Sequence, residues 1–289
     1  MNIPNFSLPL RVAIEAAVET GTLIAGGTWS RAVREKDHST FGTASVTDSD
    51  IKGQRGIIES VRNQYLSARF LAEEDDNTYP AKGSVTGLVF SVDPIDGTSP
   101  FCRSLFAWCT ALGVMQDGAH MGGVVYAPEI RGGLTIAGER GKGVHLWEHG
   151  LENPCRVSIG EPPSKPFIWF GVDVLRMSAF ECLIPTLPKE LKPRGIAESG
   201  ALGLALVAAG RIDAIVQSPQ MPWDWCGGYP LVLEAGGAFQ GFHFEDGRVI
   251  PVERPTLADY DTEKQMLGFV AGHPDLVPKL FQCLLERAG

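Results

Sequence analysis

The sequence lacks an excess of basic residues: 25 Lys and Arg stand against 34 Asp and Glu, for a net charge of -9. A nucleic-acid polymer is held by a basic surface, so this balance argues against such a partner. It does not exclude a small phosphorylated substrate, because metal ions reverse the local sign of charge. The six cysteines, Cys102, Cys109, Cys155, Cys182, Cys226 and Cys283, form no C-x-x-C pair, and no His stands at zinc-finger spacing. Reduced thiols serving as small apolar side chains are expected. No uncharged run is long enough to span a bilayer. The N-terminus has no basic segment ahead of an apolar one, and Arg11, Glu15 and Glu19 interrupt its apolar stretch. No signal peptide and no membrane partner are expected, and the cytoplasm is the default location.

The remaining composition is that of a soluble globular protein, with 44% hydrophobic and 20% charged residues. Thirty-four Gly and 20 Pro among 289 residues imply many tight turns, as in a mixed α/β fold. The stretch around which the chain is organised is Ser91 to Phe101, S-V-D-P-I-D-G-T-S-P-F. An apolar run from Gly87 predicts a buried strand that stops at Asp93 and Asp96, and Gly97-Thr98 follows, where a helix can begin. Acids at a strand end beside a Gly-Thr turn can hold a hard cation and a phosphate side by side.

Apolar spacing predicts a helix over Leu8 to Ala25, ending at Gly26-Gly27. Trp29 to Ser45, with Lys36, reads as a mobile loop or hairpin. A second helical pattern opens at Val46-Thr-Asp-Ser-Asp50, where Thr47 and Asp48 are N-cap candidates. Phe70-Leu-Ala is an apolar approach to Glu73-Glu74-Asp75. Hairpins are predicted around Asp117-Gly118 and across Gly138 to Gly143. Further on come a strand over Phe167 to Val172, a helix over Met177 to Leu187, a small apolar helix over Gly200 to Ala209 and a strand over Arg211 to Gln217. Asp224 falls at a helix N-terminus, as an N-cap on the bland reading, and Pro230 demands a late start or a kink there. Leu267 to Ala271 is a last strand and Pro274 to Arg287 a last helix.

Asp93-Pro-Ile-Asp-Gly-Thr98, together with Trp223-Asp224 and Glu234-Ala-Gly-Gly237, resembles the inositol monophosphatase superfamily. Val46-Thr47 with Asp50 resembles its V-T-x-x-D element. Phe70-Leu-Ala-Glu73-Glu74 resembles its F-x-G-E-E element, with Ala72 in place of Gly. Val207 to Asp213 and Gly123 to Pro128 also fit, so the resemblance covers nearly the whole chain. It implies a layered α-β-α-β-α sandwich in one compact unit over 1–289, with approximate subdomains 1–150 (metal site, larger sheet) and 151–289 (second sheet, substrate wall). It further implies a lithium-sensitive, homodimeric phosphomonoesterase that uses two or three Mg²⁺ ions. By motif position, Glu73, Asp93, Asp96 and Asp224 would bind metal with the carbonyl of Ile95. Asp50 and Thr98, with Glu73, would activate the attacking water, and Glu74 would assist. Gly97, Thr98, Ser199, Gly200, Gln217 and Asp224 would bind substrate. The chemistry agrees, since Mg²⁺ takes hard oxygen ligands and these acids supply them without Cys or His.

The departures fall on the substrate side. Gln217 stands where inositol-type members place a Glu, and an amide is a weaker acceptor than a carboxylate. Glu198-Ser199-Gly200 replaces Gly-Ser/Thr-Ala, Ser99-Pro100 replaces T-N, and Trp225-Cys226-Gly227 replaces V-A-A after W-D. Trp225 either narrows the pocket or fills core space. The reading is hydrolysis of an inositol phosphate or a related polyol or sugar phosphate by metal-activated water. The alternatives are a 3′-phosphoadenosine 5′-phosphate phosphatase, in which Trp225 and Tyr229 could stack on adenine, and an inactive protein that binds metal or a phosphate ligand.

Overall fold

The computed structural model describes residues 3–27, 32, 34–38, 42–74, 86–148, 155–161, 164–255 and 266–287, with the backbone alone for 34–38, 42–45, 155 and 287. In chain order the elements are α1 (Leu8–Ala25), β1 (Arg34–His38), β2 (Gly42–Val46), α2 (Asp48–Gln64), β3 (Arg69–Ala72), β4 (Leu88–Asp96), α3 (Thr98–Cys102), β5 (Cys109–Gln116), β6 (Ala119–Ala127), β7 (Leu134–Glu139), β8 (Gly143–Glu148) and β9 (Cys155–Val157). There follow β10 (Ile168–Gly171), α4 (Leu183–Thr186), β11 (Gly195–Ala197), α5 (Gly200–Ala208), β12 (Ala214–Gln220), α6 (Trp223–Cys226), α7 (Tyr229–Glu234), β13 (Ala238–Glu245), β14 (Arg248–Val252), β15 (Leu267–Gly272) and α8 (Val277–Arg287).

Among the described residues, β3 to β9 form a seven-stranded sheet in chain order, and β11-β10-β12-β15-β13-β14 a six-stranded one. Strand alternation decides which way each sheet packs. On the large sheet Phe70, Phe90 and Val92 meet α1 and α2, whereas Leu71 and Val89 face the opposite side. On the second sheet Ile215 faces inward while Ala214 and Val216 meet α8. Between the sheets lie α5, α6 and α7. Every residue of α5 is buried, as an all-apolar helix with protein on each side must be. The layers therefore run α-β-α-β-α. Burying a side chain such as Ile57 or Phe269 contributes about 1.5–3 kcal/mol, which is what holds the layers together. No described helix is long and apolar enough to cross a membrane.

Several local expectations shift. The predicted helix over Met177 to Leu187 is a 3₁₀ turn at Ser178–Phe180 and one α turn at Leu183–Thr186. Pro185, which has no N–H to donate, leaves no room for a continuous helix. The strand expected over Arg211 to Gln217 starts later, at Ala214, because Arg211 and Ile212 close the end of α5 by donating to the Leu206 carbonyl. Asp224 lies inside α6 and is not its N-cap, which is Pro222. Pro230 is accommodated by a break: α6 stops at Cys226 and α7 restarts at Tyr229, so Pro230 sits in a first turn where its missing N–H costs nothing. The 29–45 stretch contains the antiparallel β1–β2 hairpin, and Lys36 pairs with Ala44 within it. Asp75 lies outside the described residues.

Candidate active site

The β4 strand carries its acids across a bulge. Asp93 pairs with Ala111 and Asp96 with Cys109, so three residues advance against two on β5. Residues three apart point to opposite faces of a regular strand, and the bulge brings these two acids to one place. Pro94 occupies the irregular step, where a missing N–H is tolerated, and Thr110 Oγ1 fixes it by donating to the Pro94 carbonyl at 2.8 Å. Gly97 then adopts φ 96°, a left-handed conformation that glycine takes without strain, and a Cβ there would stand 2.7 Å from the Ala107 carbonyl oxygen. This turn starts α3 at Thr98.

Two groups of acids converge here. Asp93, Asp96 and Asp224 each offer an oxygen within 4.8 Å of the others, and Asp50, Glu73 and Glu74 form a second set at the same spacing. The two sets adjoin, since the charges of Glu73 and Asp50 act on Asp93. Ile95 does not point a side chain into either set. Its N–H donates to Asp93 Oδ1 at 2.9 Å, and its carbonyl accepts from Thr98 Oγ1 at 3.2 Å.

Each acid is held by backbone. Asp50 completes a capping box: its Oδ2 accepts from the Thr47 N–H at 2.7 Å and the Thr47 hydroxyl at 2.5 Å. Its other oxygen, Oδ1, accepts from Thr98 Oγ1 at 3.4 Å. Asp96 Oδ2 accepts from Ser199 Oγ at 2.7 Å and the Ala201 N–H at 2.6 Å, both at the start of α5. Asp224 Oδ2 accepts from the Met221 N–H at 2.9 Å. The Glu73–Glu74 turn hangs from β4 through the Glu73 N–H on the Val92 carbonyl, at 3.2 Å. Gln54 of α2 also grips it. Gln54 Nε2 donates to the Glu74 carbonyl and the Glu74 N–H donates to Gln54 Oε1, both at 2.8 Å.

Burial raises the pKa values of Asp50, Asp93, Asp96 and Asp224. Burial pushes Asp93 well up, and the charges of Glu73, Asp96 and Asp224 push it further. Asp224 is raised by burial and then by Asp96. Asp96 is raised by burial to about 6, against the opposing pull of the Ser199 and Ala201 hydrogen bonds. Asp50 is likewise raised by burial to about 6, against its bonds to Thr47. Buried acids so arranged ionise together only with a cation among them. An all-oxygen donor set of this kind fits Mg²⁺.

Of the substrate-side residues, Ser199, Gly200 and Asp224 stand beside the acids. Gln217 is 2% exposed and its amide covers Gly171, where a Cβ would overlap Oε1. Glu198 is exposed. Trp225 is fully buried against His120, Tyr229 and Phe239, so it fills the core between the sheets. Sequence reasoning missed Gln54. A polar residue one helical turn beyond Asp50 was the available signal for Gln54.

Comparison with known proteins follows the same line. The family model described as the inositol monophosphatase family matches residues 9–272. The curated relative "Nus factor SuhB" of Escherichia coli K12 is 28% identical over 241 residues, covering 81% of this chain and 85% of the relative. "Nus factor SuhB" of Pasteurella multocida is 30% identical over 239 residues, covering 81% and 86%. Two solved structures share the fold. The extragenic suppressor protein suhB of Bartonella henselae has TM-score 0.72 and 23% identity, with 96% and 98% covered. The inositol monophosphatase of Anabaena (Nostoc) sp. PCC 7120 has TM-score 0.70 and 23% identity, with 96% and 95% covered.

Proposed function

The chain belongs to the inositol monophosphatase family, and from that premise we propose that it is a Mg²⁺-dependent phosphatase that hydrolyses a small polyol or sugar phosphate. The observation that carries this reading is the convergence of the two acid sets on the Gly97-Thr98 turn. We assign Glu73, Asp93, Asp96, Asp224 and the Ile95 carbonyl to holding two or three Mg²⁺ ions. When bound, Mg²⁺ supplies Lewis-acid polarisation of the phosphoryl group and lowers the pKa of the attacking water.

The chain's own residues do the rest. The Gly97 and Thr98 N–H groups, at the start of α3, hold phosphoryl oxygens. Thr98 Oγ1 passes its proton toward Asp50 and takes one from the attacking water, which it keeps in line with the ester bond. Glu73 shares this task, and Glu74 assists through the same turn. Ser199 and Gly200 line the leaving-group side next to Asp96 and Asp224.

The nucleotide bisphosphatase reading is the weaker one, because both rings of its stacking platform, Trp225 and Tyr229, pack against His120 and Phe239 in the core. The reading includes a cytoplasmic homodimer sensitive to Li⁺. It is tested by phosphate release from a panel of inositol, sugar and nucleotide phosphates, with Mg²⁺ and with added Li⁺. Asp93→Asn serves as the inactive control. Release from inositol or sugar phosphates that Asp93→Asn abolishes is expected. A wild-type protein that binds Mg²⁺ but releases no phosphate would instead be a binding protein.

A further inference from the structure

Thr110 is the one hydroxyl-bearing residue in the buried run 109–115 of β5. Its place in the ladder is special. Asp93 pairs with Ala111 and Asp96 with Cys109, so Thr110 alone stands across from both Pro94 and Ile95 at the bulge. Leu112 and Val114 pack with α1 and α2, and alternation turns Thr110 to that same face. Both helices leave room for the backbone there. A Cβ at Gly21 of α1 would stand 3.0 Å from Thr110 Oγ1, and a Cβ at Gly53 of α2 would stand 3.1 Å from Pro94 Cβ. The bulge is therefore seated tightly from the helix side, and Thr110 is fully buried there.

The Pro94–Ile95 peptide is gripped at both ends. Its carbonyl accepts from Thr110 Oγ1 at 2.8 Å, and its N–H donates to Asp93 Oδ1 at 2.9 Å. Hydroxyl, peptide and carboxylate thus form one chain of hydrogen bonds that crosses the sheet. A peptide that accepts at one end donates more strongly at the other. The hydroxyl also stops this peptide from turning, and the direction of its N–H sets the tilt of the Asp93 carboxylate. A hydroxyl that merely satisfied a carbonyl freed by the bulge would end its effect at Pro94. Here the next bond falls on a carboxylate grouped with Asp96 and Asp224.

We infer that Thr110 is a positioning residue for the metal site: through the Pro94–Ile95 peptide it fixes the Asp93 carboxylate, and so makes the site strict for Mg²⁺ against a larger cation of equal charge. This rests on the Mg²⁺ reading above. Mg²⁺ demands near-ideal octahedral geometry with oxygens at about 2.0–2.1 Å, whereas Ca²⁺ accepts irregular arrangements at about 2.3–2.6 Å. A carboxylate free to tilt therefore harms Mg²⁺ binding more than Ca²⁺ binding.

The test is calorimetric titration of the metal-free full chain with Mg²⁺ and, separately, with Ca²⁺. Thr110→Val keeps the shape of the side chain and loses the donor. Its Kd for Mg²⁺ is expected to rise roughly tenfold and that for Ca²⁺ less than about threefold, so the preference for Mg²⁺ falls. Thr110→Ser keeps the donor and loses the methyl group. Its thermal midpoint is expected to drop while its Mg²⁺ preference stays at the wild-type value. Thr110→Cys, a weaker donor of similar size, reports if Thr110→Val folds poorly, and its preference is expected to lie between those of the Ser and Val variants. Equal weakening of both cations, or an unchanged preference in a folded Thr110→Val or Thr110→Cys protein, overturns this inference. A wild-type protein that binds no Mg²⁺ overturns the metal reading itself.

Discussion

The Thr98 hydroxyl donates to Asp50 Oδ1 across 3.4 Å, while Oδ2 of the same carboxylate is taken by the backbone and hydroxyl of Thr47. Asp50 thus caps α2 with one oxygen and faces the site with the other. Its capping role and its chemical role are the same geometry, since the capping box fixes the carboxylate at the angle that Thr98 meets.

Removal of the Thr98 hydroxyl separates these roles. Thr98→Val leaves the capping box of α2 whole, so the thermal midpoint is expected to stay near that of the wild type. Turnover is expected to fall about 10²-fold, in the range of a positioned proton-transfer group. Steady-state kinetics beside thermal unfolding checks this, and an unchanged kcat would remove Thr98 from the chemistry.

The raised acids predict an inverted pH response in the metal-free protein. Asp50 and Asp96 are held at about 6, against an ordinary value of 3.8. Their neutral forms therefore favour the fold below pH ~4, and that contribution is lost as pH rises through ~6, to the order of 3 kcal/mol for each. A cation reverses the loss by pairing with the ionised forms. The rise in thermal midpoint on adding Mg²⁺ is expected to be small at pH 5 and large at pH 7.5. Equal rises at the two pH values would contradict it. Asp93→Asn should stabilise the metal-free protein at pH 7.5 and lose the Mg²⁺ response.

What the sequence made legible was chemistry carried by contiguous residues. Asp93 to Thr98 is a strand end, a bulge and a turn in one string, and α1 and α2 declare themselves through apolar spacing and the Thr47 cap. What it hid depends on partners distant in the chain. Trp225 reads equally as pocket wall or core until β6 and β13 close over it. The bulge between Gln217 and Gln220 shows only in the β15 ladder, because a bulge leaves no local mark on composition. The broken segment around Pro185 keeps helical spacing in sequence, but its backbone cannot continue the hydrogen bonding.

Ser199 connects the second half of the chain to the acids. Its Oγ accepts from the Leu202 N–H at 3.1 Å as the cap of α5, and donates to Asp96 Oδ2 at 2.7 Å. Ser199→Ala removes both bonds. Loss of the cap costs about 1 kcal/mol. Asp96 keeps only its backbone partners, so the thermal midpoint should drop and Mg²⁺ binding should weaken together. Glycine at this position costs α5 little as a cap yet cannot donate to Asp96. Ser199→Gly should therefore restore most of the midpoint without restoring Mg²⁺ affinity.

Gln54 grips the Glu73–Glu74 turn through both ends of its amide, from a fully buried position on α2. Gln54→Leu leaves the Glu74 N–H and carbonyl without these partners, at about 1–3 kcal/mol for each buried group. It also frees the turn that presents Glu73 and Glu74. Mg²⁺ affinity by calorimetry is expected to fall along with the thermal midpoint. A structural loss alone would produce the second effect, so Gln54→Glu is the discriminating variant. Its carboxylate can accept from the Glu74 N–H but cannot donate to the Glu74 carbonyl, and it adds a charge beside Asp50 and Glu74. Protonation restores the missing donor and removes that charge. The stability deficit of Gln54→Glu relative to wild type should therefore be smaller at pH 5 than at pH 7.5, whereas that of Gln54→Leu should be the same at both. A Gln54→Leu protein that binds Mg²⁺ as tightly as wild type would show that the clamp serves the fold and not the acids.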